Sequence, residues 1–454
     1  MGYSLLGLLL VLCSSLASGQ TNFYTLQTNG PASNRVNVVF LAEGYTSGQF
    51  SQFLTNATNA MNSLFGTAPF SEYRPYCNAY AIAVASTQSG SDHPPSLFVN
   101  TYFNSTYDAF LNYYVTIPTD STGQGKVTAL LNTYMPSCDL AVLLVNDSTQ
   151  GGSDGGGLTA IVPTSFVMSE FLLHESGHVF AGLGDEYTAA YPGFPDIEEP
   201  NTTRETNRAL IKWKAWISTN TPVPTPPTTE YTGVVGLFEG AHYHTTGWYR
   251  SRTSCRMENQ GTSFFCEVCS EAIILSIYRQ VRPIDSFVPA STNLFVTNPA
   301  ALSFSLTILQ PATHTLNIQW LTNGVAVPGA TNAAFSVLPA ALGNGTNTVQ
   351  GKVSDFTPLV RTDPTNLLSH TRTWTVGVSV PQLQLSQARW LGSGKFAFRV
   401  SGVAPQGFAI QASTNLTSWT SLTTNILSGG QFDYTNSTTG NFPQRAFRAV
   451  TPPK

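Results

Sequence analysis

Apolar and polar positions divide this chain into two contrasting stretches. Val36 to Ala42 is a β-rich, mostly apolar run that ends in Glu43-Gly44-Tyr45. Phe53, Leu54, Ala57, Met61 and Leu64 then recur at spacings of three and four, which predicts a helix over Phe50 to Leu64. Ala79 to Val84 reads as a second strand. Asp139 to Val145 reads as a third, nearly continuous in apolar residues like a strand covered on both faces. Strand, helix and strand in this order predict an α/β domain. Phe166 to Ala181 is a further helix, with Phe171, Leu172, Val179 and Phe180 as apolar positions and Gly182 as its stop. Past about Phe287 the helical signals vanish and Ser/Thr/Asn-rich strands take over. Leu316 to Trp320 alternates, Asn323-Gly324 supplies a hairpin turn, and Thr348 to Val353 and Thr371 to Val378 follow as strands. This predicts an immunoglobulin-like sandwich over 287–380. Pro381 opens a third segment, 381–454, with strands at Phe396 to Val400, Phe408 to Ala412 and Arg445 to Val450.

Composition narrows the class. The 454 residues are 42% hydrophobic and 11% aromatic, enough for packed cores, but only 10% charged. A net charge of −4 without a basic run argues against nucleic acid as a partner. Leu5 to Leu12 is an apolar stretch before Ala17-Ser18-Gly19, the pattern of a signal peptide over 1–19, although the preceding Gly2-Tyr3-Ser4 lacks a basic residue. No later run reaches the ~20 residues of a membrane span. A secreted protein with a first domain over 20–286 is therefore expected. Outside the cytoplasm its cysteines favour disulfides. Cys77 with Cys138 is one candidate pair. Cys255, Cys266 and Cys269 lack a nearby fourth ligand and read as one disulfide plus a spare thiol.

The chemistry concentrates in His174-Glu175-Ser176-Gly177-His178. Residues four apart share one helix face, so both imidazoles reach a single ion. Catalytic zinc takes a third protein ligand and keeps one position for water. Glu175 borders the same face and is placed to accept that water's proton. Gly182 and Gly184 then turn the chain back, which makes Asp185 and Glu186 the nearest third-ligand candidates and Glu198 and Glu199 more distant ones. The run Gly151 to Gly157 has the glycines of a phosphate loop but no Gly-Lys-Ser/Thr, so it predicts a mobile or ligand-adjacent loop.

These segments resemble the M64 family of metallopeptidases, named for an immunoglobulin A peptidase. The resemblance rests on HESGHVFAGLGDEY (His174 to Tyr187), VVFLAEGYTSGQF (Val38 to Phe50), Pro69-Phe70, VNDSTQGGSDGG (Val145 to Gly156), Glu199-Pro200-Asn201, VGLFEGAHYHTTGWYR (Val235 to Arg250), and Cys255-Arg256-Met257 with Cys266-Glu267-Val268-Cys269. It spans roughly Asn22 to Arg282. It implies an α/β (α+β) zincin-like catalytic domain with metzincin-like features, Met257 forming the Met-turn beneath one catalytic Zn2+. A metzincin's third histidine would fall at position 184, which is Gly here. Alignment on Gly182 instead puts Asp185 in the ligand place, with Glu186 and Glu199 as alternatives. Tyr249 or Arg250 would stabilise the oxyanion, and His242 and His244 read as surface loop residues. Phe408 to Leu422, with Phe447-Arg448-Ala449, resembles small C-terminal β domains of secreted bacterial proteins, which implies surface or glycan contact through two β-sandwich-like modules. The expected function is a secreted zinc endopeptidase acting on protein or peptide substrates. The rivals are a zinc hydrolase for a non-peptide or cell-wall amide, and a non-catalytic adhesin.

Overall fold

The computed structural model describes residues 21–108, 114–155, 157–380 and 382–451, so the signal peptide expected over 1–19 lies outside the described residues. The fold is mixed α/β, with many strands and few helices. It forms two compact units. The first runs to Val281 and includes Pro311–Thr313 and Thr357–Thr365; the second holds the rest. No described helix is long and apolar enough to cross a membrane.

The first unit is built on β1 (Thr21–Gln27), β2 (Val36–Glu43), β3 (Cys77–Val84), β4 (Leu140–Val145), β5 (Ser153–Asp154) and β6 (Thr159–Pro163), in the order β1-β3-β2-β4-β6-β5. The four central strands are parallel, and β1 and β5 close the edges antiparallel. Every residue of β2, β3, β4 and β6 is buried. That explains their mostly apolar sequences, unbroken in β4, since a parallel strand covered on both sides has no solvent face to keep polar. Glu43 closes β2 as a buried carboxylate. It accepts the Thr101 hydroxyl at 2.6 Å and the backbone N–H groups of Phe103 at 2.9 Å and Ser105 at 2.8 Å, which fixes that loop above the sheet.

Helix α1 (Phe50–Gly66) buries Phe53, Ala57, Met61 and Leu64 as the spacing predicts. Each large apolar side chain removed from water there contributes roughly 1.5–3 kcal/mol. Helix α2 (Gln124–Tyr134) precedes β4, and α3 (Met168–Ala181) follows β6. Helix α3 begins at Met168 rather than at Phe166, which is 92% exposed. A small sheet of β7 (Thr202–Thr203), β8 (Phe238–Ala241) and β9 (His244–Arg250), ordered β8-β9-β7, and helix α4 (Glu267–Gln280) complete the unit.

All five described cysteines are free thiols, which corrects both disulfide expectations. Cys77 opens β3 and Cys138 precedes β4, with β2 lying between those two strands. Two inter-strand spacings, about 9–10 Å, exceed the reach of a disulfide.

In the second unit, a three-stranded sheet (Ile284–Val288, Leu302–Ile308, Ala334–Val337) and a five-stranded sheet share a core around the fully buried Trp320 and Trp374. The five-stranded sheet includes Asn317–Thr322, Gly345–Ser354 and Ser369–Val378. Asn323 and Gly324 have φ of 50° and 79°, the left-handed pair of a tight hairpin. Two three-stranded sheets beyond Gln384 enclose a separate cluster of Phe398, Val400, Phe408, Ile410 and Leu427.

Candidate metal centre

Helix α3 sets the site. His174 and His178 lie one turn apart, and their Nε2 atoms approach to 3.1 Å. Gly182 ends the helix in the left-handed region at φ 64°, where its N–H reaches the His178 carbonyl at 2.9 Å and the Leu183 N–H reaches the Gly177 carbonyl at 3.1 Å. This reversal brings Asp185 back over the histidines. Its Oδ1 sits 3.1 Å from His174 Nε2 and 3.3 Å from His178 Nε2. Of the third-ligand candidates, only Asp185 is brought to this pair among the described residues. Glu199 turns instead to His242 Nδ1, at 3.1 Å. Glu186 is fully buried elsewhere, its Oε1 accepting the Asn201 side-chain amide at 3.0 Å.

The protons in this cluster can be placed. His174 Nδ1 lies 3.0 Å from the Arg256 carbonyl, and His178 Nδ1 lies 2.6 Å from the Leu183 carbonyl. A carbonyl only accepts, so each Nδ1 carries hydrogen, and each ring turns its Nε2 toward the other and toward Asp185. Asp185 Oδ1 adds a third acceptor, buried and without a hydrogen-bond partner. One extra proton answers this poorly. Burial lowers the His178 pKa, and Asp185 outweighs it to lift the imidazole to about 10. Even so, one proton bridges one contact and leaves His174 Nε2 facing the others. Two imidazoles and a carboxylate converging on one point are a donor set that suits Zn2+.

The surroundings suit hydrolysis. Glu175 is buried beside the cluster, and loss of solvation raises its pKa to about 7. A Cβ on Gly152 would lie 2.8 Å from Glu175 Oε1, so the Gly-rich loop packs directly on this carboxylate and a side chain there would displace it. A cavity of about 740 Å³ opens over the site, bordered by edge strand β5, His174, His178, Tyr187 and Tyr243. Beneath, Met257 is fully buried, its Sδ 2.9 Å from where a Cβ on Gly177 would be.

Several sequence expectations require correction. Tyr249 pairs within the small sheet, opposite Glu239 and Thr203, and is not part of the cavity wall. Arg250 is likewise engaged, donating to the Gly240 and Arg252 carbonyls. The hydroxyls at the cluster belong to Tyr243, which donates to Asp185 Oδ2 at 2.7 Å, and Tyr187, 3.3 Å from His174 Nε2. Tyr187 follows Asp185-Glu186 directly, and that proximity was its available signal. Tyr243 sits between His242 and His244 and carries no signal of its own in the sequence. His242 is not a surface residue: it is 1% exposed and stacks on Trp248 with centroids 4.1 Å apart.

A family model described as IgA Peptidase M64 matches residues 24–231 and 227–277, more than half of the chain. The chain belongs to the IgA peptidase M64 family. It is a peptidase, and the His174, His178 and Asp185 cluster lies inside the M64 region. No curated protein gives a significant match to this M64 chain. Among solved structures, a chaperone–tip adhesin complex of CFA/I fimbriae biogenesis is 12% identical, covering 36% of this chain and 93% of that one, with a TM-score of 0.14. The chicken CNTN1 FN1–FN3 domains are 12% identical, with coverage of 32% and 53% and a TM-score of 0.15. Bacteroides uniformis beta-glucuronidase 3 is 10% identical, with coverage of 72% and 46% and a TM-score of 0.15. Likeness at that level carries no argument about this M64 peptidase.

Proposed function

We propose that this M64 peptidase is a secreted, zinc-dependent endopeptidase. The observation that carries the reading is the convergence of His174 Nε2, His178 Nε2 and Asp185 Oδ1 on one point at the floor of an open cavity. His174, His178 and Asp185 would hold the ion. When bound, zinc supplies Lewis acidity, lowering the pKa of a water from 15.7 toward about 7 and polarising the scissile carbonyl. Glu175 accepts the proton of the attacking water and passes it to the leaving amine; its raised pKa suits both transfers. Tyr243 and Tyr187 orient the site and donate to the oxyanion, the role that sequence reasoning gave to Tyr249. Met257 supports the floor in the manner of a Met-turn, which favours a zincin-like arrangement with metzincin features. Strand β5, last in the sheet order among the described residues, borders the cavity, which suits an extended peptide and endopeptidase action.

Secretion rests on the pattern of 1–19. The β modules over 287–380 and 381–454 act as accessories for surface or glycan contact. The test combines zinc analysis of the purified protein with cleavage-site profiling on a peptide library. One zinc at this site and internal cleavages support the reading. Full activity after complete zinc removal, or cleavage confined to chain ends, refutes it.

A further inference from the structure

A second donor cluster lies inside the first unit, apart from the cavity. The Sγ atoms of Cys255, Cys266 and Cys269 and a carboxylate oxygen of Glu186 all lie within 4.8 Å of one another. All four residues are buried: Glu186, Cys255 and Cys269 are inaccessible, and Cys266 is 1% exposed. We propose that Glu186, Cys255, Cys266 and Cys269 bind a second, structural zinc ion.

Three observations support a cation here. Glu186 Oε2 is buried and has no hydrogen-bond partner among the described residues, an unstable position for a carboxylate unless a positive charge faces it. The spacing is that of shared ligation. Cys255 Sγ and Cys269 Sγ are 3.6 Å apart, and Cys269 Sγ is 3.6 Å from Glu186 Oε1. Sulfurs bound tetrahedrally at ~2.3 Å from zinc fall about 3.8 Å apart, whereas a disulfide needs ~2.05 Å. The environment also favours thiolates. Cys266 is the N-cap of α4 and Cys269 lies in its first turn, at the positive end of the helix dipole. The Cys266 N–H donates to Cys255 Sγ at 3.2 Å, and Ser251 Oγ lies 3.2 Å from Cys266 Sγ.

Binding requires all four groups to be deprotonated, their remaining protons passing to solvent, and leaves the S3O site with a net charge of −2, which α4 and the nearby Arg250 partly offset. Soft thiolates with no open position select zinc in a structural role. A single disulfide would leave one thiol and the buried Glu186 Oε2 without a partner. The site also joins the two strips of chain that frame the catalytic cluster. Glu186 follows Asp185, and its N–H donates to the Met257 carbonyl at 2.8 Å, while the Arg256 carbonyl holds His174 Nδ1. The second ion is a positioning element for the first.

The test isolates this site with His174→Ala/His178→Ala in the full chain, purified without chelator or polyhistidine tag. One zinc per chain by mass spectrometry, and sulfur-to-metal charge-transfer bands after cobalt replacement, are expected. Zero zinc, absence of those bands, or a disulfide among the three cysteines on alkylation and peptide mapping overturns the proposal. In the same background, Glu186→Ala should weaken zinc at least 10-fold in chelator competition; unchanged affinity removes Glu186 and with it the four-ligand site. Zinc in the wild-type chain reads the catalytic proposal separately: two equivalents support both sites, and one equivalent that survives the histidine substitutions refutes the catalytic site alone.

Discussion

Asp185 and Glu186 are neighbours in sequence, yet their carboxylates serve opposite settings. Asp185 faces two imidazoles under an open cavity, with Tyr243 and Tyr187 at hand. Glu186 faces three sulfurs in a sealed pocket of helix and loop. The contrast suits the two zinc ions proposed above. A catalytic site uses three protein ligands and leaves room for substrate, whereas a structural site closes with four. One turn at Gly182 serves both, because the consecutive side chains of Asp185 and Glu186 reach the two different clusters. Substitutions on the open side should therefore change turnover, and those on the closed side should change folding.

The largest expected effect sharpens that division. Glu175→Gln should keep its zinc and its fold while losing on the order of 10²–10⁴ in kcat, because glutamine preserves shape but takes no proton. Single-turnover peptide hydrolysis with parallel metal analysis checks it. Near-normal turnover would mean that another group activates the water.

Next comes the third ligand. Asp185→Ala should weaken zinc by more than the 10–100-fold typical of losing an outer-sphere partner. Glu199→Ala should change it little, because Glu199 pairs with His242 instead. Isothermal titration of both apo variants measures this. The reverse pattern would give the site a distant glutamate and remove the alignment on Gly182.

A smaller effect separates the tyrosines. Tyr243→Phe should lower kcat by about 10²-fold, the cost of one oxyanion donor, with zinc retained. Tyr249→Phe should cost far less, its ring being placed in the small sheet. Equal losses in the two variants would return the oxyanion role to Tyr249.

The sequence was legible where one constraint dominated. Strands β2, β3 and β4 are covered on both faces, so their apolar runs announced themselves, and α1 has one buried face at helical spacing. The His174-Glu175-x-x-His178 spacing likewise has few other uses. Helix α4 escaped because it is buried nearly all round, Ser270 and Ser276 included, which erases amphipathic periodicity. The cysteine cluster escaped because its fourth member, Glu186, is remote in sequence and adjacent to a stronger candidate. Tyr249 lies away from the cavity wall, a placement sequence does not reveal, since it cannot tell which face of a short strand looks toward a cavity formed by other elements.

The smallest effect on chemistry concerns the second unit. Ending the chain after Ser286 should leave kcat on a short peptide unchanged, since every cavity residue named above lies upstream. Stability should fall, for an identifiable reason. The segment Thr357–Thr365 packs as part of the first unit. Within it, the Arg361 N–H donates to Glu271 Oε2 at 2.7 Å, and the Arg361 guanidinium lies 4.2 Å from the Trp216 ring centre. Glu271 is a buried carboxylate, 9% exposed, and burial raises its pKa. Truncation leaves it with the Trp216 indole N–H at 2.6 Å but without the Arg361 contacts. Hydrogen bonds to charged groups contribute about 1.5–3 kcal/mol, which for a unit of this size lowers Tm by on the order of 5 °C. Thermal melts of Glu271→Gln in the full and truncated chains decide the cause. If the loss arises here, glutamine should cost less in the truncated chain than in the full one, because the charge it removes is already poorly compensated. Equal costs would place the stabilisation elsewhere, and a folded, zinc-loaded truncation without activity would make the second unit part of the catalytic machinery.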